Sequence, residues 1–239
     1  HMDRVFSLYD MLIGVYAFAF QIYFDFSGYT DVAIGSALLL GFKIPKNFFY
    51  PYSATSLTAF WRKWHISLSG WLRDYVYKSL GGRYKKYRNI FITFTLSGLW
   101  HGASWHFVLW GVYHALLLIS ENFIRQHAHF NIPTIVKQII VFHLVCVGWI
   151  LFRVPQLSDI EHIFNITTLI DTASLQYGSL VIFVLVLILI VLEFFSAKIK
   201  PMYLLAKQKL YIQVCIHSAI FLLIVAMGDF GKPFIYFQF

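Results

Sequence analysis

"IFITFTLSGLWHGASWHFVLWGVYHALLL", residues 90–118, decides how this chain is read. A helix crossing a bilayer needs about 20 apolar residues, and this run is longer than that. It nevertheless carries His101, His106 and His114 and no carboxylate. Gly98 and Gly102 flank the first histidine, and glycine weakens a helix interior. Two architectures fit. One is a single long tilted helix. The other is a pair of shorter helices meeting near His101, so that the run begins and ends on the same side of a membrane. Loop charge leaves both open.

The rest of the chain has the same solvent preference. Of its 239 residues, 59% are hydrophobic and only 13% charged, against about 25% charged in a soluble domain. The fold class this implies is an all-α polytopic membrane protein, a bundle of about six transmembrane segments with interfacial and broken or re-entrant helices. The segments are Leu8 to Phe24, Asp31 to Phe42, Ile90 to Leu118, Ile135 to Phe152, Leu180 to Phe195 and Tyr211 to Met227. The second is too short to span alone and reads as a continuation or a re-entrant piece. Aromatic residues make up 20% of the chain, which suits membrane interfaces and a packed bundle.

The net charge is +8. The basic residues cluster in short loops, which points to orientation in a membrane and not to nucleic acid. Arg83, Lys85, Lys86 and Arg88 form one cluster, and Lys198, Lys200, Lys207 and Lys209 another; both read as cytoplasmic. Residues 155–176 hold Asp159, Glu161 and Asp171 without a Lys or Arg and read as outside, with a sequon at Asn165. Cys146 and Cys215 lie in apolar runs and read as small buried hydrophobes. His1-Met2 reads as a tag remnant or the start of a fragment and is left out of the fold reading. No internal repeat or low-complexity linker divides the chain, so residues 1–239 read as one domain.

Residues 57–82 form a distinct segment that mixes Trp, Arg, Lys and Leu. Phe60, Trp64, Leu68, Trp71 and Tyr75 step by three or four and predict one helix face. Arg62, Lys63 and Arg73 lie off it. This is the pattern of an amphipathic helix lying in the interface, with a break at Gly70 and an end at Gly81-Gly82.

Ionisable groups within a span are functional by default. His101 is the first candidate. In a dry surround its imidazole stays neutral, and a neutral imidazole can take a proton from a hydroxyl and return it to a leaving group. Trp100 and Trp105 are expected to supply the dry wall, and Ser97, Ser104, the indole N–H groups of those tryptophans or backbone N–H groups freed at the glycine break are candidate donors to an oxyanion. The alternative is a histidine bonded to a carbonyl across the bundle. His65 is the second candidate, with Arg62 and Trp64 beside it as substrate-binding residues. Zinc histidines on a helix sit four apart, often with a glutamate between. His101, His106 and His114 are spaced five and eight apart with no acid near, so no metal is assigned.

Four blocks carry a resemblance: "QIYFDFSGYTDVAIG" from Gln21, "FWRKWHISLSGWLRDYVYKSLGG" from Phe60, "SGLWHGASWHFVLWGVYHA" from Ser97 and the terminal "PFIYFQF". Together they resemble the membrane-bound O-acyltransferase family, in the branch that acetylates alginate and other surface glycans. The resemblance implies that His101 is catalytic and that His65 is the family's second important histidine. It implies an acyl thioester such as acetyl-CoA as donor substrate, with no bound cofactor. It further implies a multi-pass protein of the bacterial inner membrane, an extracytoplasmic polysaccharide acceptor, and a periplasmic acetyltransferase or glycan-export partner. Members of this branch are longer, and this chain looks like their C-terminal half. Alternatives are D-alanyl transfer to teichoic acid, or a non-enzymatic transporter or assembly subunit.

Overall fold

The computed structural model describes residues 8–128, 131–154 and 201–227, together with positions 184, 187, 188 and 191. Among these the chain is helical, without a strand. Its α-helices are α1 (Leu8–Leu39), α2 (Leu57–Trp61), α3 (Ile66–Trp71), α4 (Lys86–His101), α5 (Trp105–His127), α6 (Thr134–Arg153), α7 (Pro201–Ala206) and α8 (Leu210–Met227). Helices α1, α5 and α6 are long and apolar enough to cross a membrane, and α8 holds a shorter apolar stretch. The first two apolar segments are therefore one: α1 runs unbroken for 32 residues, and the piece from Asp31 is its continuation. The candidate span Leu180 to Phe195 is described only at positions 184, 187, 188 and 191, and the acidic stretch 155–176 with its sequon and the terminal aromatic block lie outside the described residues.

Residues 90–118 are not one helix. Helix α4 ends at His101 and α5 begins at Trp105, and the three residues between reverse the chain. The two helices then run antiparallel in close contact. A β-carbon on Gly98 would collide with the carbonyl of Phe107, and one on Gly111 with the carbonyl of Phe94. Paired small residues let helix backbones approach where there is no water to drive association. Gly102 has extended backbone that any residue can adopt. It is small for a different reason: a β-carbon there would lie 2.7 Å from the Phe107 ring. At the far end Lys86 Nζ donates to Asn122 Oδ1 at 2.6 Å, and Tyr87 Oη to Gln126 Oε1 at 3.1 Å, which fixes the register.

Helices α1, α5 and α6 surround an aromatic core. Tyr52 is its hub: it donates to Ala19 O at 2.6 Å and accepts from Trp149 Nε1 at 3.1 Å, so α1 and α6 share one hydroxyl. Phe20, Tyr23, Phe60 and Phe142 ring it, with centroids between 5.2 and 6.1 Å from the phenol. Tyr113 Oη donates to Leu144 O at 2.8 Å and joins α5 to α6.

The amphipathic segment departs from its expected shape. It is broken at residues 62–65, not at Gly70, which lies inside α3. His65 takes left-handed backbone, φ 44° and ψ 56°, and restarts the helix in a new direction. The predicted stripe is split with it. Phe60 and Trp64 are buried in the core, whereas Trp71 and Tyr75 are exposed. A wide π-type turn over Leu72–Tyr77 follows, and the segment ends at Gly81 and Gly82, both with positive φ. Ser56 caps α2 by accepting from Ala59 N at 3.0 Å. Glu121 of α5 adds a second cap, accepting from Leu57 N, Thr58 N and Thr58 Oγ1. A carboxylate at a helix N-terminus is favourable for its charge as well as its hydrogen bonds. Glu121 thereby docks the amphipathic segment on the α4–α5 hairpin.

Candidate active site

A cavity of about 710 Å³ lies between that hairpin and the amphipathic segment. Lys86, Ile90, Thr93, Ser97 and His101 all line it. Their spacing of four, three, four and four places them on one face of α4. At about 1.5 Å per residue, this face carries the cavity roughly 22 Å from Lys86 to His101.

The His101 end is aromatic. Its imidazole stands edge-on to Trp110 and Phe152, with centroids 5.2 and 5.1 Å away, and Phe107 lies 6.2 Å off. Trp149 and Trp64 extend the wall, 4.8 Å from each other. His65 lines the same cavity from the amphipathic segment. The Trp100 indole bridges the two histidines, 6.0 Å from the His65 ring and 5.0 Å from that of His101. The edge of Phe26 closes on His65 at 4.7 Å. Burial holds the His65 imidazole well below its ordinary value, at about 4, so it is neutral at physiological pH.

The other end is cationic. Arg62, Arg83, Lys86 and Arg125 line it, and among the described residues no carboxylate does. Buried Asn122 lends its amide oxygen to Lys86 at 2.6 Å and to Arg125 Nη2 at 3.5 Å, gathering two cations on one neutral acceptor. Arg73 also borders the cavity but is engaged by Asp74, at 3.0 and 3.1 Å, and Lys78 joins them at 2.8 Å. The hydrogen bonds from Arg73 and Lys78 hold the Asp74 carboxyl well below the usual carboxylate range.

The residues singled out from sequence fall into two groups. His101, His65, Ser97, Arg62 and Trp64 meet around the cavity. Trp105 and Ser104 do not line it. They occupy the hairpin tip, where Trp105 is 73% exposed and Ser104 Oγ is bonded to His106 Nδ1 at 2.8 Å. Trp100 touches both histidine rings but does not line the cavity. Of the expected dry wall, Trp100 stands beside the His101 ring and Trp105 does not; Trp110, Phe107 and Phe152 supply the rest of the aromatic surround. The cause is the reversal at 102–104, which turns Trp105 outward and brings Phe107 and Trp110 back beside α4. His106 and His114 go elsewhere, His114 being fully buried against Trp61, Trp110 and Gly148. Among the described residues no cluster of metal-ligating side chains forms. Thr93, Asn122 and Arg125 were not singled out from sequence. The helical step from His101 back through Ser97 was the signal that leads to Thr93.

Comparison with known proteins places this cavity in context. The chain is 46% identical over 153 residues to the "probable alginate O-acetylase AlgI" of Pseudomonas aeruginosa, covering 62% of this chain and 29% of that relative. It is 43% identical over 151 residues to a peptidoglycan O-acetyltransferase of Helicobacter pylori, covering 60% and 28%. A teichoic acid D-alanyltransferase of Bacillus subtilis is 34% identical over 159 residues, covering 59% and 40%. The chain thus spans well under half the length of the curated relatives it matches. The family model for membrane-bound O-acyltransferases matches residues 4–155, which take in α1 to α6 and every residue of the cavity. With that match over more than half its length, this membrane protein belongs to the membrane-bound O-acyltransferase family.

Proposed function

We propose that this chain carries the reaction chamber of an O-acyltransferase that moves acetyl from a cytoplasmic thioester toward an extracytoplasmic glycan. One observation carries the reading: a single cavity joins a histidine-bearing aromatic end to a cationic end that, among the described residues, holds no carboxylate. An acyl thioester whose carrier bears phosphates, such as acetyl-CoA, matches that polarity. Its phosphates meet Arg83, Lys86 and Arg125, and its thioester reaches the histidines. The roughly 22 Å along α4 is about the reach of an extended pantetheine arm.

His101 then acts as general base. It takes the proton of the acceptor hydroxyl as that oxygen attacks the thioester carbonyl. The C–O bond forms, the C–S bond breaks, and the proton passes to the departing sulfur, leaving an ester and a free thiol. Ser97, one turn back on the same face, is the hydroxyl placed to donate to the carbonyl oxygen as it becomes negative. His65 orients the acceptor. The basic end faces the cytoplasm of the bacterial inner membrane by its charge. The hairpin tip faces the opposite side, where the acetyl group passes to the glycan directly or through a periplasmic partner. Acetyl is chosen over D-alanyl because the acetyl-transferring relatives are the more similar ones.

The test is the O-acetyl content of the surface glycan in cells carrying the native gene or His101→Gln at equal membrane level, with release of labelled acetyl from acetyl-CoA measured on the same membranes. A loss of 100-fold or more in both is expected, the scale of general-base catalysis. Unchanged acetylation overturns the role of His101. Membranes that never consume the thioester point to a transporter or assembly subunit instead.

A further inference from the structure

His65 and Tyr50 are the non-glycine residues with positive φ among those described, at 44° and 46°. A residue with a β-carbon holds that conformation only where its surroundings over-determine it, and such strain clusters at functional sites. Both belong to one clasp. Phe49 N donates to Lys63 O at 3.0 Å, and Ile66 N donates to Asn47 O at 2.9 Å. These two bonds grip the chain on either side of His65.

His65 is also the N-cap residue of α3, yet its side chain makes no capping bond. An N-cap side chain ordinarily accepts from a backbone N–H of the first turn. Here buried Asn47 performs that task from another part of the chain. Its Oδ1 accepts from Ser67 N at 3.1 Å and from Ser67 Oγ at 2.9 Å, while its backbone oxygen takes Ile66 N. The imidazole is thereby spared the capping bond: its Nδ1 lies 3.5 Å from Ser67 Oγ, and the ring lines the cavity.

Building on the acyl-transfer reading above, we infer that Asn47 is the positioning residue of His65: by capping α3 in its place it fixes the left-handed turn that delivers the imidazole to the reaction chamber. Asn47 itself does not line the cavity. It acts through His65 alone, and its loss should behave as a loss of His65.

The test uses the full chain in membranes, with Asn47→Leu, which removes the acceptor, and Asn47→Asp, which keeps it. Asn47→Leu is expected to lower kcat at least tenfold with KM for acetyl-CoA within twofold of native, and Asn47→Asp to restore kcat to within threefold. In a His65→Gln background, Asn47→Leu should change kcat by less than twofold, because residues acting as one unit are not additive. Multiplying losses in that background, or native kcat in Asn47→Leu, overturns the assignment. If Asn47→Leu does not accumulate, Asn47→Ser, too short to reach Ser67, carries the same comparison. Reaction of His65 with diethyl pyrocarbonate, followed by peptide mass spectrometry, reads the geometry without catalysis. Modification at least tenfold faster in Asn47→Leu than in native and Asn47→Asp supports the assignment, and equal rates overturn it. A native protein that turns over no thioester would sink the acyl-transfer reading, and this last measurement would still decide the role of Asn47.

Discussion

A buried neutral imidazole makes a prediction at the scale of one residue. His65 titrates at about 4 in the folded chain because burial disfavours its charge, whereas an exposed histidine titrates near 6.5. Between those values the unfolded chain binds the proton and the folded chain does not. Stability from this group is therefore complete above about pH 6.5 and is lost as pH falls toward 4. Its size is at most about 3 kcal/mol at about 1.36 kcal/mol per pH unit. His65→Gln should flatten the decline of the thermal midpoint in detergent between pH 6.5 and 4. Equal slopes in native and variant would show that the ring is solvated. The candidates themselves were legible because an ionisable ring is costly in an apolar run. What eluded sequence is which neighbours face them. Trp105 is four residues from His101, a helical neighbour on paper, and the reversal at 102–104 turns it out to the surface. Trp110 and Phe152 come to the ring through α5 and α6, a choice made by tertiary packing.

At the scale of the element, the hairpin of α4 and α5 depends on absent side chains. Gly98 and Gly111 each face a carbonyl of the opposite helix, and backbone cannot swing aside as a side chain can. Gly98→Ala should cost about 1–3 kcal/mol by overpacking, despite alanine's better helix propensity. Gly14, also inside a helix, has nothing within 4 Å of a built β-carbon. Gly14→Ala should leave stability unchanged or raise it by up to about 1 kcal/mol. Thermal midpoints of the two variants in one detergent check this, and similar values would mean that the helices are not in backbone contact. The glycines of "SGLWHGASWH" were visible as a departure from a plain span, and both architectures stayed open because either can contain them. The amphipathic segment shows the opposite limit. Its stripe read as one helix with Gly70 as the weak point, but glycine in a helix costs only about 1 kcal/mol. The break falls instead at His65, where Asn47 caps the restart from eighteen residues upstream. Nothing local in "WRKWHIS" announces a left-handed residue.

The whole molecule joins these parts into a chamber with a direction. One face of α4 leads from Lys86 to His101, hydrophilic and cationic at its start and aromatic at its end. The four cations Arg62, Arg83, Lys86 and Arg125 face the cavity without a carboxylate among its described lining residues, while Arg73, beside them, is already paired to Asp74. Local repulsion among gathered cations is unfavourable unless an anion joins them, and a lined cleft focuses their field on an incoming one. If that anion is the phosphate end of the donor, the cations supply binding far from the chemistry and are equally engaged in ground and transition states. Such uniform binding lowers KM and leaves kcat alone. Arg83→Gln with Lys86→Gln should therefore raise KM for acetyl-CoA about tenfold or more with kcat within about threefold, because a charge-assisted hydrogen bond contributes about 1.5–3 kcal/mol. Added salt should raise KM in the native protein and less so in the variant. The decisive comparison is acetyl-N-acetylcysteamine, a thioester without phosphates, whose KM the double variant should leave unchanged. A rise in KM for both donors would place these cations in the fold of the chamber and remove them from donor recognition. A fall in kcat for both would place them at the reacting end, contrary to the separation along α4.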